Sequence, residues 1–178
     1  MKQKDISSAT KIAILDAASK VILGKGVEAL TIDAVAQEAG ISKGGLFYHF
    51  PSKKNLIEGM INRLISEIDS VLEKELVKSA GDFLPAYIRA SFVENPEWTK
   101  LSCALIAAVA NDPDLLIPLQ KRFVEMQNKI TEASTSPEIG TIIRLALDGM
   151  WISDLFGFAP PTPELREKML IALLEITQ

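Results

Sequence analysis

The stretch Thr31–Lys54, TIDAVAQEAGISKGGLFYHFPSKK, decides the reading of the fold. Thr31 is placed to cap a helix over residues 32–39, its hydroxyl accepting from one of the first unpaired amides. Ile32, Val35, Ala36 and Ala39 share one face of that helix at three- and four-residue spacing. Gly40 stands where a helix ends on a left-handed residue, and Ser42 caps a second helix beginning at Lys43. Helix, short glycine turn, helix is the plan of a helix-turn-helix, whose second helix enters a DNA major groove.

Outward from this stretch the chain reads as helices throughout. Residues 1–9 form a polar arm, and Thr10 caps a helix from Lys11 to about Gly24 with Ile12, Leu15, Ala18 and Ile22 on its buried side. Val27, Ala29 and Leu30 then lead into the helix-turn-helix and close a small three-helix core. On the other side Pro51 breaks the second helix, because proline disfavours helical geometry in the residue before it. Ser52 caps a long helix over residues 53–79, striped by Leu56, Met60, Ile61, Leu64, Ile65, Ile68, Leu72 and Leu76. Further helices are expected over residues 82–94, 97–110, 114–134, 136–156 and from Pro163 to the C-terminus, separated by Asn-Pro and Asp-Pro breaks and a proline-rich connector. The expected fold is all-α, with about nine helices. A helix-turn-helix head over residues 1–52 and a helical body over residues 53–178 are expected; the resemblance described below assigns DNA binding to the first and ligand binding and dimerisation to the second.

Charge separates the two parts. The 178-residue chain carries a net charge of −4, but residues 1–56 hold eight lysines against five acidic residues, and residues 57–178 hold eleven basic against eighteen acidic. A basic head on an acidic body presents one attractive face to phosphate. Apolar residues make up 48% of the chain, yet no apolar run reaches the roughly 18 residues of a membrane helix. The polar N-terminus lacks the apolar segment of a signal peptide, so a cytoplasmic protein is expected.

Lys43-Gly44-Gly45-Leu46-Phe47-Tyr48-His49-Phe50 is a poor helix by propensity, since each glycine costs about 1 kcal/mol against alanine. Glycines let a helix backbone come close to the floor and walls of a groove. Leu46 and Phe50, four apart, anchor the segment, which turns Lys43, Tyr48 and His49 outward as donors to phosphate oxygens. Lys43 also has the reach for a guanine edge. Thr31 and Ser42 add neutral donors, and Lys53 is placed to clamp the backbone beyond the second helix. Singly, each residue has a plainer reading: a cap, a surface histidine, a solvated lysine.

In order and spacing, these residues resemble the head of the TetR family of bacterial transcriptional regulators. The match covers Lys11 to about Leu56 and contains T-I-x-x-V-A-x-x-A-G-I-S-K-G-G-L-F-Y-H-F-x-S-K-x-x-L. The resemblance implies that Thr31, Ser42, Lys43, Tyr48, His49 and Lys53 contact DNA, mostly at phosphates, with Gly44 and Gly45 against base edges. The family usually has tyrosine where this chain has Phe47. Phe47 cannot donate, so that contact is lost or passes to Tyr48, while apolar contact with a thymine methyl stays open. The resemblance further implies a homodimer on a palindromic operator in double-stranded DNA, usually a repressor released by a small-molecule effector.

In the body, the last two helices offer more apolar surface than their own core needs. Leu145, Ile152, Leu155, Phe156, Leu165, Met169 and Leu173 are the candidates for a two-fold interface, with a private core as the alternative. A ligand pocket is expected between the middle helices and the helix from Ser136. Its candidate lining is Trp98, Cys103, Phe123, Met126, Met150 and Trp151, with Asp148 and Asp154 as polar anchors. Asp148 lies in the apolar run IIRLALDGMW, where an unpaired carboxylate is costly, and Arg144 is its alternative partner.

An enzyme is not expected. The sole histidine, His49, and the sole cysteine, Cys103, fall in different expected domains, and the pair leaves any zinc site short of ligands. Gly44-Gly45 lacks the spacing of a phosphate-cradling loop. No cofactor is expected, and the effector's chemical class is unknown. The remaining alternatives are a transcriptional activator and a helical ligand- or partner-binding protein with a vestigial head.

Overall fold

Local side-chain caps set most of the helix starts. In the computed structural model, which describes residues 2–110 and 112–177 and side chains from Ser8 onward, the chain is all-α, with nine α-helices and two short 3-10 turns among the described residues. The helices are α1 (Lys2–Lys25), α2 (Ile32–Ala39), α3 (Lys43–His49), α4 (Lys53–Lys78), α5 (Phe83–Ser91), α6 (Pro96–Val109), α7 (Ile117–Ala133), α8 (Pro137–Phe156) and α9 (Pro163–Ile176). Helix α1 begins earlier than the periodicity suggested. The arm expected over residues 1–9 is helical from Lys2, and Thr10 lies inside the helix rather than at its cap. Residues 2–10 contain neither glycine nor proline, so nothing in the backbone stops the helix there; the apolar pattern marks only where its buried face begins. The segment expected to be helical from Asp114 instead opens as a 3-10 turn over Pro113–Leu116. Pro113 stands in its first position and Pro118 in the first turn of α7, where a missing N–H does no harm.

The described chain divides into two compact units. The first runs to Leu64 and takes in Lys100–Pro118; the second comprises Ile65–Thr99 and the chain from Leu119. In the first, Ile14, Leu15, Ala18 and Ile22 of α1 are buried with Leu30, Val35, Leu46, Phe50 and the Leu56–Met60 turn of α4. Ile12, expected on the buried side, is 52% exposed, because the buried stripe of α1 follows Ile14, Ala17, Ala18, Val21 and Ile22 instead. An ion pair from Arg63 to Asp16, at 2.6 Å, joins α4 to α1.

The second unit is built on Leu72, Leu84, Ile88, Met126, Ile130, Ile143, Leu147 and Met150, with Met169, Leu170, Leu173 and Leu174 of α9 packed against them. Its polar groups are paired across helices. Arg122 holds Asp69, Arg166 reaches Asp154 at 2.5 Å and Glu94 at 3.2 Å, and Trp98 Nε1 donates to Glu67 at 2.9 Å. Helices α7 and α8 approach closely at Gly140, where an added Cβ would lie 2.9 Å from Ile130 Cγ2.

Two glycines make opposite predictions. At Gly59 on α4, a Cβ would lie 2.6 Å from Phe50 Cε1 and 3.2 Å from Leu15 Cδ2, and both side chains are buried. Overpacking of about 1–3 kcal/mol then outweighs the ~1 kcal/mol of helix propensity that alanine brings. At Gly24 near the end of α1, a Cβ would meet nothing within 4 Å. Thermal unfolding followed by circular dichroism should show Gly59→Ala lowering the transition and Gly24→Ala leaving it level or raised. A Gly59→Ala protein that melts at or above the parent would contradict this packing.

Candidate nucleic-acid interface

The elements that carry the candidate DNA-facing residues are held by short, local bonds. Thr31 Oγ1 accepts from Ala34 N at 3.1 Å and starts α2. At its other end Gly40 adopts φ 66°, Gly40 N donates to Gln37 O at 3.2 Å, and Ile41 N donates to Ala36 O at 3.0 Å. That bonding pattern ends a helix on a left-handed residue and turns the chain sharply. Two residues on, Ser42 Oγ accepts from Gly45 N at 3.1 Å and starts α3. Ser52 Oγ repeats the device with Asn55 N at the start of α4.

Helix α3 has one buried edge and one open one. Leu46 is fully buried and Phe50, its C-cap, is 3% exposed, whereas Tyr48 is 80% exposed. Thr31, Ser42, Lys43, Gly44, Phe47 and Lys53 are also exposed, and Gly45 and His49 are half-buried. The rings of Tyr48 and His49 meet edge to face at 5.1 Å between centroids, which limits how each can turn. Internal crowding does not explain Gly44, where an added Cβ would come no nearer than 4.0 Å to Ser42 Oγ, whereas at Gly45 it would press on the same capping oxygen at 3.3 Å. What the missing side chains leave is an open strip of backbone along α3.

Two ion pairs at this face escaped the sequence reading, because their members are distant in sequence and charged residues are common. Lys43 Nζ lies 2.9 Å from Asp33 Oδ1 on α2. Lys54 Nζ lies 2.9 Å from Asp112 and 3.2 Å from Asp114, beside the second 3-10 turn. Hydrogen bonds from those two carboxylates, Asp112 first, hold the Lys54 ammonium above the usual lysine range. An open cleft of about 250 Å³ lies alongside, lined by Val27, Lys53, Ile57, Ala107 and Leu115 among others.

The residues expected to line a ligand pocket are dispersed. Cys103 is exposed and falls in the first unit, while Trp98, Phe123, Met126, Asp148 and Trp151 fall in the second. Met126 and Met150 are core residues there, and Phe123 and Trp151 are partly exposed. Asp148 pairs with Arg144 at 2.5 Å, the alternative raised by its position in an apolar run. Burial nevertheless raises the Asp148 carboxyl, with the Arg144 charge and hydrogen bond opposing. Arg144 Nε also donates to Gln127 at 2.5 Å, and Gln127 Nε2 donates to Thr141 at 2.9 Å. Tyr87 lies near this cluster, its phenol pushed up to about 12 by burial and then by the Asp148 carboxylate.

The candidate interface residues sort into two sets. Leu145, Ile152, Phe156 and Leu165 are exposed, whereas Leu155 is buried and Met169 and Leu173 pack on the unit's own core. Ile142, Leu145, Gly149, Ile152 and Phe156 run along one exposed face of α8 at three- and four-residue spacing.

Comparison with known proteins agrees with this geometry. Residues 14–60 match the family model of bacterial regulatory proteins of the tetR family, and residues 81–178 match a tetracyclin repressor-like C-terminal domain. The HTH-type transcriptional regulator AlkX of Mycobacterium tuberculosis is 30% identical over 106 residues, which cover 58% of this chain and only half of that protein. The HTH-type transcriptional repressor KstR of the same organism is 25% identical over 151 residues, 82% of this chain and 69% of that one. Among solved structures, a TetR-family member from Streptomyces coelicolor superimposes with a TM-score of 0.69 at 22% identity, covering 92% of this chain and 97% of that one. The multidrug binding protein EbrR complexed with imidazole does so with a TM-score of 0.69 at 23% identity, over 92% and 93% of the two chains. This family consists of transcriptional regulators and not enzymes. With its helix-turn-helix and its C-terminal domain both matched, the chain belongs to the TetR family of bacterial transcriptional regulators.

Proposed function

We propose that this regulator is a homodimeric repressor that grips a palindromic operator and lets go when a small molecule binds its C-terminal part. The observation that carries the reading is the split of α3: Leu46 and Phe50 buried, with Lys43, Phe47 and Tyr48 on the open edge beside an unobstructed glycine backbone. Residues 1–52 do the binding to DNA, and residues 53–178 hold the effector and the dimer contacts. Thr31, Ser42, Tyr48, His49 and Lys53 grip phosphates, while Lys43 and the backbone at Gly44 and Gly45 face base edges. Phe47, 40% exposed, offers the thymine methyl an apolar partner where a phenol would offer a donor.

Repression is supported by likeness to KstR, which is named a repressor. Effector binding is supported by likeness to EbrR, whose structures hold imidazole, ethidium and malachite green. An effector shifts the equilibrium only if it binds the form that does not fit DNA more tightly. The two recognition helices of a dimer must sit about one DNA turn apart, ~34–36 Å or a multiple, so a change in that separation is enough to release the operator. No described helix is long and apolar enough to cross a membrane, which fits work in the cytoplasm.

The dimer reading rests on exposed apolar surface. Ile142, Leu145, Ile152 and Phe156 on α8, with Leu165 and Ile176 on α9, are each about 40–60% exposed. Large apolar side chains gain roughly 1.5–3 kcal/mol each on full burial, so a partner that covers this face has ample driving force.

Two experiments test the proposal. Mobility shift with DNA from the protein's own upstream region should give a sequence-dependent complex that weakens steeply with salt. Tyr48→Ala and Lys53→Ala should each weaken it about tenfold or more on all sequences alike, as expected for a lost hydrogen bond to a charged group, and Lys53→Ala should also flatten the salt dependence. A Tyr48→Ala, Lys53→Ala double variant that binds like the parent would sink this docking. For the dimer, sedimentation of the Leu145→Asp, Ile152→Asp variant at micromolar concentration should show a monomer with parental helix content. A parent that sediments as a monomer overturns the dimer, and a variant that stays dimeric places its interface elsewhere.

A further inference from the structure

We infer that Gly149 marks the point where α8 crosses its copy in the dimer, with the two-fold axis beside it and the two helices antiparallel. The inference rests on the dimer reading above and gives that interface a register. Helix α8 is 20 residues long and contains two glycines, Gly140 and Gly149. Glycine in a helix interior is less stable than alanine, so each calls for a reason. Gly140 has one inside the protomer: an added Cβ would lie 2.9 Å from Ile130 Cγ2 of α7. Gly149 has none, since a Cβ there would meet nothing within 4 Å. It is exposed, while its neighbour Met150 belongs to the core. The room left by the missing side chain therefore faces outward.

The surrounding stripe selects a second copy of this chain as what fills that room. Ile142 and Leu145 stand exposed seven and four residues before Gly149, and Ile152 and Phe156 three and seven residues after it. The large side chains are thus nearly symmetric about the glycine. A two-fold contact sets one surface against itself, so a residue before the axis meets one equally far beyond it. With antiparallel helices and the axis at Gly149, Ile142 meets the partner's Phe156 and Leu145 meets the partner's Ile152. Sliding one helix by four residues sets Phe156 against the partner's Glu138 in one direction, and in the other carries Ile142 beyond the end of the partner's helix. Charge permits the same pairing. A two-fold contact also brings like charges together, at a cost, and between residues 139 and 156 no charge on α8 is unpaired: Arg144 holds Asp148, and Arg166 holds Asp154. At the centre, where the two backbones come nearest, a side chain would hold them apart, and glycine lets them meet.

Intermolecular disulfide formation under mild oxidation tests the register, with cysteines placed on a Cys103→Ser background that lacks the exposed native thiol. A disulfide needs Cα atoms about 4.4–6.8 Å apart, which only residues beside the axis reach with their own copies. Gly149→Cys should therefore link roughly tenfold faster than Ile142→Cys or Phe156→Cys alone. A chain carrying both Ile142→Cys and Phe156→Cys should link readily, because each cysteine then faces the other kind across the axis. Sedimentation supplies the second readout. Gly149→Ala should weaken dimerisation about tenfold, as overpacking at the crossing requires, with helix content unchanged because the added methyl meets nothing in the protomer. Ile142→Cys linking alone as fast as Gly149→Cys overturns the inference, and so does Gly149→Ala dimerising as tightly as the parent. Failure of both Gly149→Cys and the double variant to link, in chains that sediment as dimers, overturns it as well and leaves the dimer standing. A parent that sediments as a monomer removes the dimer reading itself, and this inference with it.

Discussion

Burial of Leu46 and Phe50 is the interaction on which the rest of the first unit depends, because these are the buried side chains that hold α3 against its neighbours. It is seven residues long and carries two adjacent glycines. Isolated helices shorter than about 12–15 residues are marginal in water, and the glycines cost a further ~1 kcal/mol each. Two large apolar side chains buried at roughly 1.5–3 kcal/mol apiece outweigh that deficit. The docking has a geometric condition as well. Phe50 fits only because α4 presents Gly59 opposite its ring, and Lys11 lies over another part of that ring, 5.5 Å from its centroid. The helix that bears the candidate DNA-facing groups is thus held by its neighbours and carries no side chain at Gly44 and Gly45.

What the sequence discloses and what it hides follow the reach of the interactions. Caps act over three residues, so Thr31, Ser42, Ser52 and Ser136 could be read directly, and each accepts from the expected amide. The helix end at Gly40 was equally legible, since a left-handed residue has few substitutes. Periodicity placed Leu46 and Phe50 inside, but it misjudged Ile12 by choosing the wrong neighbouring stripe of α1. Pairs such as Arg122 with Asp69 and Lys54 with Asp112, more than fifty residues apart, have no local signature. Only the fold brings them together.

The second unit shows why an effector site resisted reading. Its polar side chains are committed to one another: Arg144 to Asp148 and Gln127, Arg166 to Asp154, Arg122 to Asp69. Asp148 remains the telling member, because burial raises its carboxyl even with a guanidinium in contact. Desolvation outweighs pairing there, as expected of a half-buried ion pair whose stabilising value is small. Such a pair resists replacement of one partner more than it favours the fold. Met126 and Met150 serve the core and Asp148 and Asp154 its buttressing ion pairs, so residue types alone do not mark a pocket.

The charge asymmetry that first suggested DNA is also altered by folding. Residues 1–64 carry +3, but Lys100, Asp112 and Asp114 join the same unit and bring it to +2. Two lysines of that unit are moreover engaged by carboxylates, Lys54 by Asp112 and Asp114 and Lys43 by Asp33. Non-specific affinity for DNA scales with the number of phosphates neutralised, so the unit's lysine count alone overstates the attraction it offers to phosphate. Adjacent lysines consequently take different tasks. Lys54 ties α4 to the segment after α6, and Lys53, on the exposed side of the same turn, stays open to solvent.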